Sequence, residues 1–234
     1  MVEQRRVMAI SLRERYAIVH QRLVAAYGAP AWRQHLPPVD ELVSTILSQS
    51  TSDTNRDKAF AALQAGFADW AAVMNAPEAA VREAIRPAGL ANQKAPRIQA
   101  ALQEVYRRQG ALSLDLLADL PLEEAQAWLT SINGVGPKTA AIVLLFAFNR
   151  PAFPVDTHVH RVTRRLGLIG PKVSAEKAHQ LLPQLGEPET FYAFHLNVIR
   201  HGREVCQARR PNCVFCPLRG LCDDYQARHL PRPG

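Results

Sequence analysis

Apolar residues recur every three or four positions along almost the whole chain, while strict alternation of apolar and polar residues is nearly absent. This period is that of an amphipathic helix and not of a half-buried strand. The stripes are clearest at Leu12, Tyr16, Val19, Leu23 and Tyr27; at Ile98, Leu102, Val105 and Tyr106; at Ala125, Trp128, Leu129 and Ile132; and at Ala178, Leu181, Leu182 and Leu185. Proline and glycine interrupt the pattern often enough to divide it into about ten helices. The sequence therefore predicts an all-α protein with more helices than a simple four-helix bundle.

The composition is typical of a folded protein that does not enter a membrane. Of the 234 residues, 47% are hydrophobic and 21% are charged, which is a globular balance. The longest apolar run, Ala140–Phe148, is far shorter than the roughly 20 residues of a membrane helix. The N-terminal residues MVEQRRVMAISLRERY lack the apolar core and the cleavage site of a signal peptide. We therefore expect a cytoplasmic protein.

The charge balance adds a candidate partner. The formal net charge is +7, and only five of the 28 basic residues are lysines. The planar fork of arginine suits phosphate groups, so a basic surface of this kind indicates a polyanion such as nucleic acid. The alternative is a bias toward arginine codons with no consequence beyond solubility. Composition alone leaves both interpretations open.

The four cysteines all lie in one short segment, with the spacing C-x6-C-x2-C-x5-C. They are Cys206, Cys213, Cys216 and Cys222. Four thiolates this close in sequence are typical of a tetrahedral metal site, either zinc or a [4Fe–4S] cluster. Zinc sites usually pair two C-x2-C units, whereas the unequal loops here favour the wider iron–sulfur cluster. Arg209 and Arg210 in the first loop are candidate phosphate contacts, or simply solvated.

A second motif is the segment NGVGPKTA, residues 133–140, between two apolar-periodic segments. It predicts a helix, a tight turn and a second helix that begins with proline. Backbone N–H groups that point out of such a turn can bind phosphate without reading the base sequence. The alternative is an ordinary corner between two helices. The candidate DNA contacts here are Gly134, Val135, Gly136 and Thr139.

Lys138 and Asp156 are the candidate reactive groups. Lys138 falls in the first helical turn, where the positive end of the helix dipole should lower the pKa of its amine. A neutral amine is a nucleophile. The alternative is that Lys138 binds a phosphate or projects into water. Asp156 precedes a periodic segment and is expected to cap it. His158 and Arg161 follow on that segment as candidate site residues, although a structural histidine and a solvated arginine are commoner.

In this order, GVGPKTA, VDTHVHR and the cysteine spacing resemble the endonuclease III family of DNA base-excision glycosylases, in the helix–hairpin–helix glycosylase superfamily. Residues 47–53, LSQSTSD, resemble the family's early helix-end motif, and residues 89–95, GLANQKA, resemble its second DNA-probing loop. The family often has glutamine where Ser50 stands and a larger residue at Ala91. The sequence Ile132-Asn133 also replaces the usual Leu-Pro.

The resemblance implies a two-domain helix–hairpin–helix DNA glycosylase. Residues 31–150 would form a six-helix barrel domain that ends with the hairpin. Residues 1–30 plus 151–234 would form an iron–sulfur cluster domain with a structural [4Fe–4S] cluster that orients Arg209 and Arg210 toward DNA. Lys138 and Asp156 would face each other across a cleft between the domains.

The resemblance also implies a bifunctional DNA N-glycosylase and AP lyase of base excision repair. The partner would be double-stranded damaged DNA, bound by a monomer in association with the nucleoid. A damaged, mainly oxidised pyrimidine would be flipped out, and the Lys138 amine would attack C1′ of its sugar. Asp156 would assist departure of the base, and β-elimination from the Schiff base would nick the strand. Gln49 or Ser50, with Leu90, would fill the gap in the duplex.

Three alternatives remain open at this stage. A monofunctional glycosylase, or one specific for mismatches or pyrimidine dimers, would share the same fold, although the presence of Lys138 argues against the monofunctional branch. A non-catalytic or redox-sensing DNA-binding module would keep the hairpin and the cluster without needing Lys138 and Asp156. A zinc-stabilised scaffold would hold zinc at the four cysteines.

Overall fold

Helices and the loops between them make up the whole of residues 10–229, which are the residues that the structure, a computed structural model, describes. No strand occurs in this range, so the prediction of an all-α chain is confirmed. The helices are α1 (Leu12–Tyr27), α2 (Pro38–Leu47), α3 (Asp53–Gly66), α4 (Trp70–Asn75), α5 (Glu78–Ala84), α6 (Ala91–Gln109), α7 (Leu122–Thr130), α8 (Pro137–Phe148), α9 (Thr157–Arg165), α10 (Ala175–Leu181), α11 (Phe191–Glu204) and α12 (Asp223–His229).

The contacts within the chain divide it into two compact units. The central unit is Trp32–Pro154, and the split unit joins residues 10–31 with residues 155–229. The assignment of the split unit to cluster binding stays a prediction. None of the helices within residues 10–229 has the length and apolar character needed to cross a bilayer. The N-terminal nine residues that the signal-peptide argument used lie outside the described range.

The central unit is built on two helices that are buried on nearly every side. α2 and α8 pack against each other, and each is buried along most of its length. α6, the longest helix, buries only one face, which includes Ile98, Leu102 and Val105. Burying a side chain of this size contributes roughly 1.5–3 kcal/mol. Tyr106 was expected on the same stripe but is 50% exposed, because it lies just beyond the edge of that face.

The split unit has its own core between α1, α9 and α11. The rings of Tyr16 and Phe194 stack with centroids 4.2 Å apart, and Val19 and Leu23 continue the buried stripe of α1. The Tyr16 hydroxyl is satisfied by Thr190 Oγ1 at 2.9 Å. The predicted stripe of α1 is therefore confirmed except at its start, where Leu12 is exposed in the first turn of the helix.

Arginine side chains hold several irregular segments in place, and Arg150 shows the pattern most clearly. Its guanidinium donates to the carbonyl oxygens of Leu117, Ala118 and Leu120 at 2.9, 2.5 and 2.7 Å. These residues belong to a short 3-10 turn and the loop after it, where no helix supplies donors for the carbonyls. The half-buried Arg150 thus fixes the connection between α6 and α7.

We expect Arg150→Met to lower the free energy of unfolding by about 2–3 kcal/mol, because two part-buried carbonyls and one exposed carbonyl lose a charged donor. Urea unfolding followed by circular dichroism measures this loss. Arg82→Met is the matched control, since Arg82 is exposed and has only a 4.0 Å ion pair with Glu78. A change below about 0.5 kcal/mol is expected there. Equal effects of the two substitutions would contradict the structural role of Arg150.

Candidate functional site

The predicted hairpin is present in the central unit. α7 ends at Thr130, the turn covers 131–136, and α8 begins with Pro137 at its first position. Gly134 has a φ of +84°, a left-handed conformation that favours glycine, whereas Gly136 is extended at φ −89°. The turn therefore depends on a glycine at position 134 and only on a small residue at position 136.

The backbone amides of this turn divide into internal and outward groups. The Val135 N–H donates to the Ile132 carbonyl at 3.0 Å, so a DNA contact of Val135 stays a prediction that this N–H does not support. The Val135 side chain is buried, as is that of Thr139 in the first turn of α8. The N–H groups of Gly134 and Gly136 have no acceptor among the described residues. A phosphate contact of this turn therefore falls to the two glycines and to the open first turn of α8.

Lys138 lies at the second position of α8, as predicted, and is half-buried. The first turn of α8 contains no acidic residue, so the positive end of the helix dipole is not offset within that turn. A cation at this end of a helix is unfavourable for stability. A chemical role of Lys138 at this position stays a prediction.

Two loops of the central unit carry strained residues at the positions predicted to probe DNA. Ser50 has a φ of +52° and Leu90 has a φ of +51°, conformations that cost non-glycine residues free energy. Both are exposed, and Leu90 keeps 50% of its accessible surface in spite of being apolar. Gln49, beside Ser50, is half-buried and accepts a hydrogen bond from Arg97 at 3.3 Å. An exposed leucine in a strained loop is an observation that core packing does not explain.

Lys94 connects these two loops, and the sequence analysis did not single it out. Its Nζ donates to the carbonyl oxygens of Leu47 and Ala88, both at 2.8 Å. The residue is only 1% exposed, and burial lowers the pKa of its ammonium group. The usable signal was the helical spacing of Lys94, which lies four residues before Ile98 and seven before Ala101 on the buried face of α6.

Asp156 caps α9 in the split unit, as predicted. Its Oδ1 accepts the Val159 N–H at 2.7 Å, and the side chain is half-buried. The capping bond fixes the direction of the carboxylate and occupies one oxygen, which leaves Oδ2 for another partner. Asp156 therefore combines a structural role with an available acceptor.

The arginines that follow Asp156 have internal partners. Arg161 donates to the Gly202 carbonyl at 2.8 Å and to the Cys206 carbonyl at 3.1 Å, and burial lowers its pKa. Its Nη2 also lies 3.2 Å from Nδ1 of His158. Arg161 and His158 thus fix α9 to the end of α11, and a DNA contact of either stays a prediction.

All four cysteines border one cavity of the split unit. Burial is the main cause that raises the pKa of Cys216 to about 11, and it also raises the pKa of Cys222. Among residues 10–229, no three His, Cys, Asp or Glu side chains converge closely enough to hold a single metal ion. The four thiols are therefore grouped around one cavity.

Polar groups surround these sulfur atoms. Arg165 Nη1 donates to Cys206 Sγ at 3.2 Å, and His201 Nε2 lies 3.6 Å from Cys216 Sγ. The other ring nitrogen of His201 bonds to the Tyr27 hydroxyl at 2.9 Å, and burial lowers the pKa of His201 to about 4. Neither Arg165 nor His201 could be recognised from the sequence, because both are far from the cysteines they contact.

Arg209 and Arg210 are exposed on the loop between the first two cysteines, as expected of phosphate-contacting or solvated residues. The two residues between Cys213 and Cys216 are also exposed, Val214 by 73% and Phe215 by 77%. The surface beside the cysteines is thus basic with an apolar tip.

Comparison with known proteins gives consistent matches. Residues 43–188 match the family described as "HhH-GPD superfamily base excision DNA repair protein". A putative DNA glycosylase of Arabidopsis thaliana is 34% identical over 195 residues, which cover 79% of this chain and 66% of that protein, about two thirds of its length. Endonuclease III of Sulfolobus acidocaldarius is 31% identical over 218 residues, which cover 92% of this chain and 94% of that protein.

Solved structures agree with the sequence matches. A non-covalent complex of endonuclease III with DNA superposes with a TM-score of 0.80 and 26% identity, over 94% of this chain and 99% of that one. The all-α architecture described above therefore has the same course as that structure along nearly its full length.

The two glycines of the turn give a test of its geometry. We expect Gly134→Ala to lower the free energy of unfolding by about 1–2 kcal/mol, because alanine is strained at positive φ. Its Cβ would also lie 3.3 Å from Arg97 Cγ. Gly136→Ala should be neutral or stabilise by up to about 1 kcal/mol, since its extended backbone suits alanine and its Cβ meets nothing within 4 Å. Thermal unfolding of both variants measures the difference in stability. A larger loss of stability in Gly136→Ala than in Gly134→Ala would contradict the backbone conformation described for this turn.

Proposed function

Because the chain belongs to the HhH-GPD superfamily of base excision DNA repair proteins, and within it to the endonuclease III family, we propose that it is a bifunctional DNA N-glycosylase and AP lyase. The proposed substrates are damaged, mainly oxidised, pyrimidines in duplex DNA. The observation that carries the lyase part is Lys138, an amine in the first turn of α8 directly after the hairpin. An ammonium ion is disfavoured at that end of a helix, whereas a neutral amine can act as a nucleophile.

In the proposed reaction the Lys138 amine attacks C1′ of the damaged nucleotide, and the bond between C1′ and the base breaks. The base leaves with the electron pair of that bond and is protonated. Opening of the sugar ring and loss of a proton from nitrogen give a Schiff base at C1′. Removal of a C2′ proton then expels the 3′ phosphate, which nicks the strand, and water releases the lysine.

Asp156 is the proposed carboxylate of this reaction. One of its oxygens is fixed by the Val159 N–H, so the other has a defined direction. Positive charge develops on the sugar as the base departs, and a fixed carboxylate stabilises it without reorganisation. The cap of α9 is thus a way to hold the group still.

DNA binding is proposed to use backbone groups and exposed side chains. The outward N–H groups of Gly134 and Gly136 and the N-terminus of α8 suit a phosphate. Leu90, exposed on a strained loop, suits insertion into the duplex where a base has been flipped out, with Gln49 or Ser50 on the opposite loop. Arg209 and Arg210 suit phosphates because they are exposed.

We also propose that the four cysteines hold a [4Fe–4S] cluster. They border one cavity, and their unequal sequence spacing fits a cuboidal cluster better than zinc. When bound, the cluster would cross-link the loops 206–222. The donors beside the sulfurs, Arg165 and His201, suit thiolates, because negative sulfur accepts hydrogen bonds.

Borohydride trapping tests the covalent step. The wild-type protein is incubated with a duplex that contains one oxidised pyrimidine, and reduction should convert the Schiff base to a stable protein–DNA adduct. We expect Lys138→Ala to give no adduct and to lower strand nicking at least about 100-fold, because the nucleophile is gone. Asp156→Asn should lower base release about 100-fold while keeping the α9 cap, since the amide oxygen can still accept.

Lys172→Ala is the matched control, because Lys172 is an exposed lysine of the split unit and should trap like the wild type. Base release by Lys138→Ala at the wild-type rate would instead identify a monofunctional glycosylase. Absence of any reaction with the wild type, on a lesion or on an abasic site, would leave a DNA-binding module as the better explanation.

A visible spectrum tests the cluster. The purified protein should absorb near about 400 nm and contain iron and acid-labile sulfide in about a 1:1 ratio, close to four of each per chain. Cys213→Ala should abolish the band, whereas Lys138→Ala should keep it. A colourless protein that contains one zinc ion would contradict the proposal for the cysteines and leave the proposal for Lys138 untouched.

A further inference from the structure

Left-handed backbone is rare in this chain outside glycine, and its positions are informative. Within residues 10–229, three non-glycine residues have positive φ, namely Ser50, Leu90 and Asn149. Asn149 follows the last turn of α8, a place where asparagine adopts this conformation readily. Ser50 and Leu90 have no such preference, so the surrounding structure must hold their loops against relaxation.

The group that contacts both loops is the Lys94 ammonium. Its two acceptors are the carbonyl of Leu47, the last residue of α2, and the carbonyl of Ala88, two residues before Leu90. The side chain is almost fully enclosed, and Lys94 stands in the first turn of α6, whose start is set by Leu90 itself. One cation therefore joins the end of α2, the loop 88–90 and the beginning of α6.

Arg97 extends this connection by one turn of α6. Its Nη1 donates to the side chain of Gln49, and its aliphatic stem lies so close to Gly134 that an added Cβ would be 3.3 Å from Cγ. The first two turns of α6 thus contact three loops, 48–50, 88–90 and 134–136. These are the loops that carry the proposed DNA contacts of the central unit.

A purely structural explanation accounts poorly for a lysine at this position. A buried ammonium group costs free energy that an apolar residue or a neutral amide would not. The same helix shows that a neutral amide can donate to such carbonyls without a buried charge. Gln99 is buried and donates to the carbonyls of Val73 and Ala76 at 3.0 and 2.8 Å. Charge strengthens a hydrogen bond, so it is useful where the bonded segments are strained.

We propose that Lys94 is a positioning residue that holds the loops 48–50 and 88–90 in the conformation that enters a duplex at a flipped-out base. This inference rests on the proposed function, because it assumes that these loops contact DNA. Without the hydrogen bonds from Lys94, Ser50 and Leu90 relax toward ordinary backbone conformations. The binding-competent arrangement is then populated for only part of the time, and affinity for the distorted duplex falls by that fraction.

The test compares Lys94→Met with Gln99→Met. Both substitutions remove a buried side chain of α6 that donates hydrogen bonds to backbone carbonyls. Only Lys94→Met removes the hydrogen bonds that hold the loops 48–50 and 88–90. The probe is a duplex with a non-cleavable tetrahydrofuran abasic analogue and 2-aminopurine as the opposite base, whose fluorescence reports loss of stacking. An undamaged duplex of the same sequence measures non-specific affinity.

We expect Lys94→Met to bind the abasic-analogue duplex at least about tenfold more weakly, with a loss of the 2-aminopurine signal, and to bind the undamaged duplex within about twofold of the wild type. Gln99→Met should bind both duplexes within about twofold of the wild-type affinity, even if its thermal stability falls as much as that of Lys94→Met. Such a selective loss is not what general destabilisation produces.

The inference would be overturned if the two variants had the same ratio of affinity for the abasic-analogue duplex to affinity for the undamaged duplex. If Lys94→Met does not fold, Lys94→Gln replaces it, because the amide keeps a donor but is one atom shorter and cannot reach both carbonyls. We then expect at least about a threefold selective loss, and wild-type behaviour of that variant would equally overturn the inference. Failure of the wild-type protein to discriminate the two duplexes would instead contradict the proposed function.

Discussion

Carbonyl oxygens at the ends of helices are the constraint on which much of this structure depends. A helix leaves its last carbonyls without backbone partners, and in an all-α chain of many short helices such groups are numerous. Where they are shielded from water, each must find a donor or cost free energy. This chain supplies cations from distant parts of the sequence. Arg108 donates to the carbonyl of Trp128 at the end of α7, and Arg15 donates to the carbonyl of Leu166 after α9.

The same solution shapes the segments with proposed chemistry. Arg165 donates to the carbonyls of Gln207 and Ala208, and Arg161 donates to the carbonyl of Cys206. Hydrogen bonds from α9 therefore hold the first part of the cysteine segment in place. Asp156 is the first residue of this arrangement, since it caps the same helix. The direction of the carboxylate and the course of the cysteine loop are therefore both tied to one short helix. In the central unit, α6 plays the same role, because its Lys94 and Arg97 donate hydrogen bonds to neighbouring loops.

The sequence was sufficient for features that depend on near neighbours. Pro137 at the start of α8 and Asp156 as the cap of α9 follow from rules that involve three or four residues, and both are observed. Most positions of the helical stripes were also predicted correctly, because burial on one face requires a fixed period, whereas Leu12 and Tyr106 are exposed. The roles of Lys94 and Arg165 were not predictable in this way. The first acceptor of Lys94 is 47 residues away in sequence, and the cysteine contacted by Arg165 is 41 residues away.

This distinction changes how the excess of arginine should be interpreted. The net charge of +7 suggested a surface for a polyanion, with a codon bias as the alternative. The structure adds a third use, because Arg150, Arg161 and Arg165 have their guanidinium groups occupied by carbonyls of the chain itself. An occupied guanidinium still adds to the long-range field that attracts DNA, but it cannot give up its partners to a phosphate without loosening a loop. Exposed residues such as Arg209 and Arg210 have no such cost, which favours them over the occupied arginines for the proposed phosphate contacts.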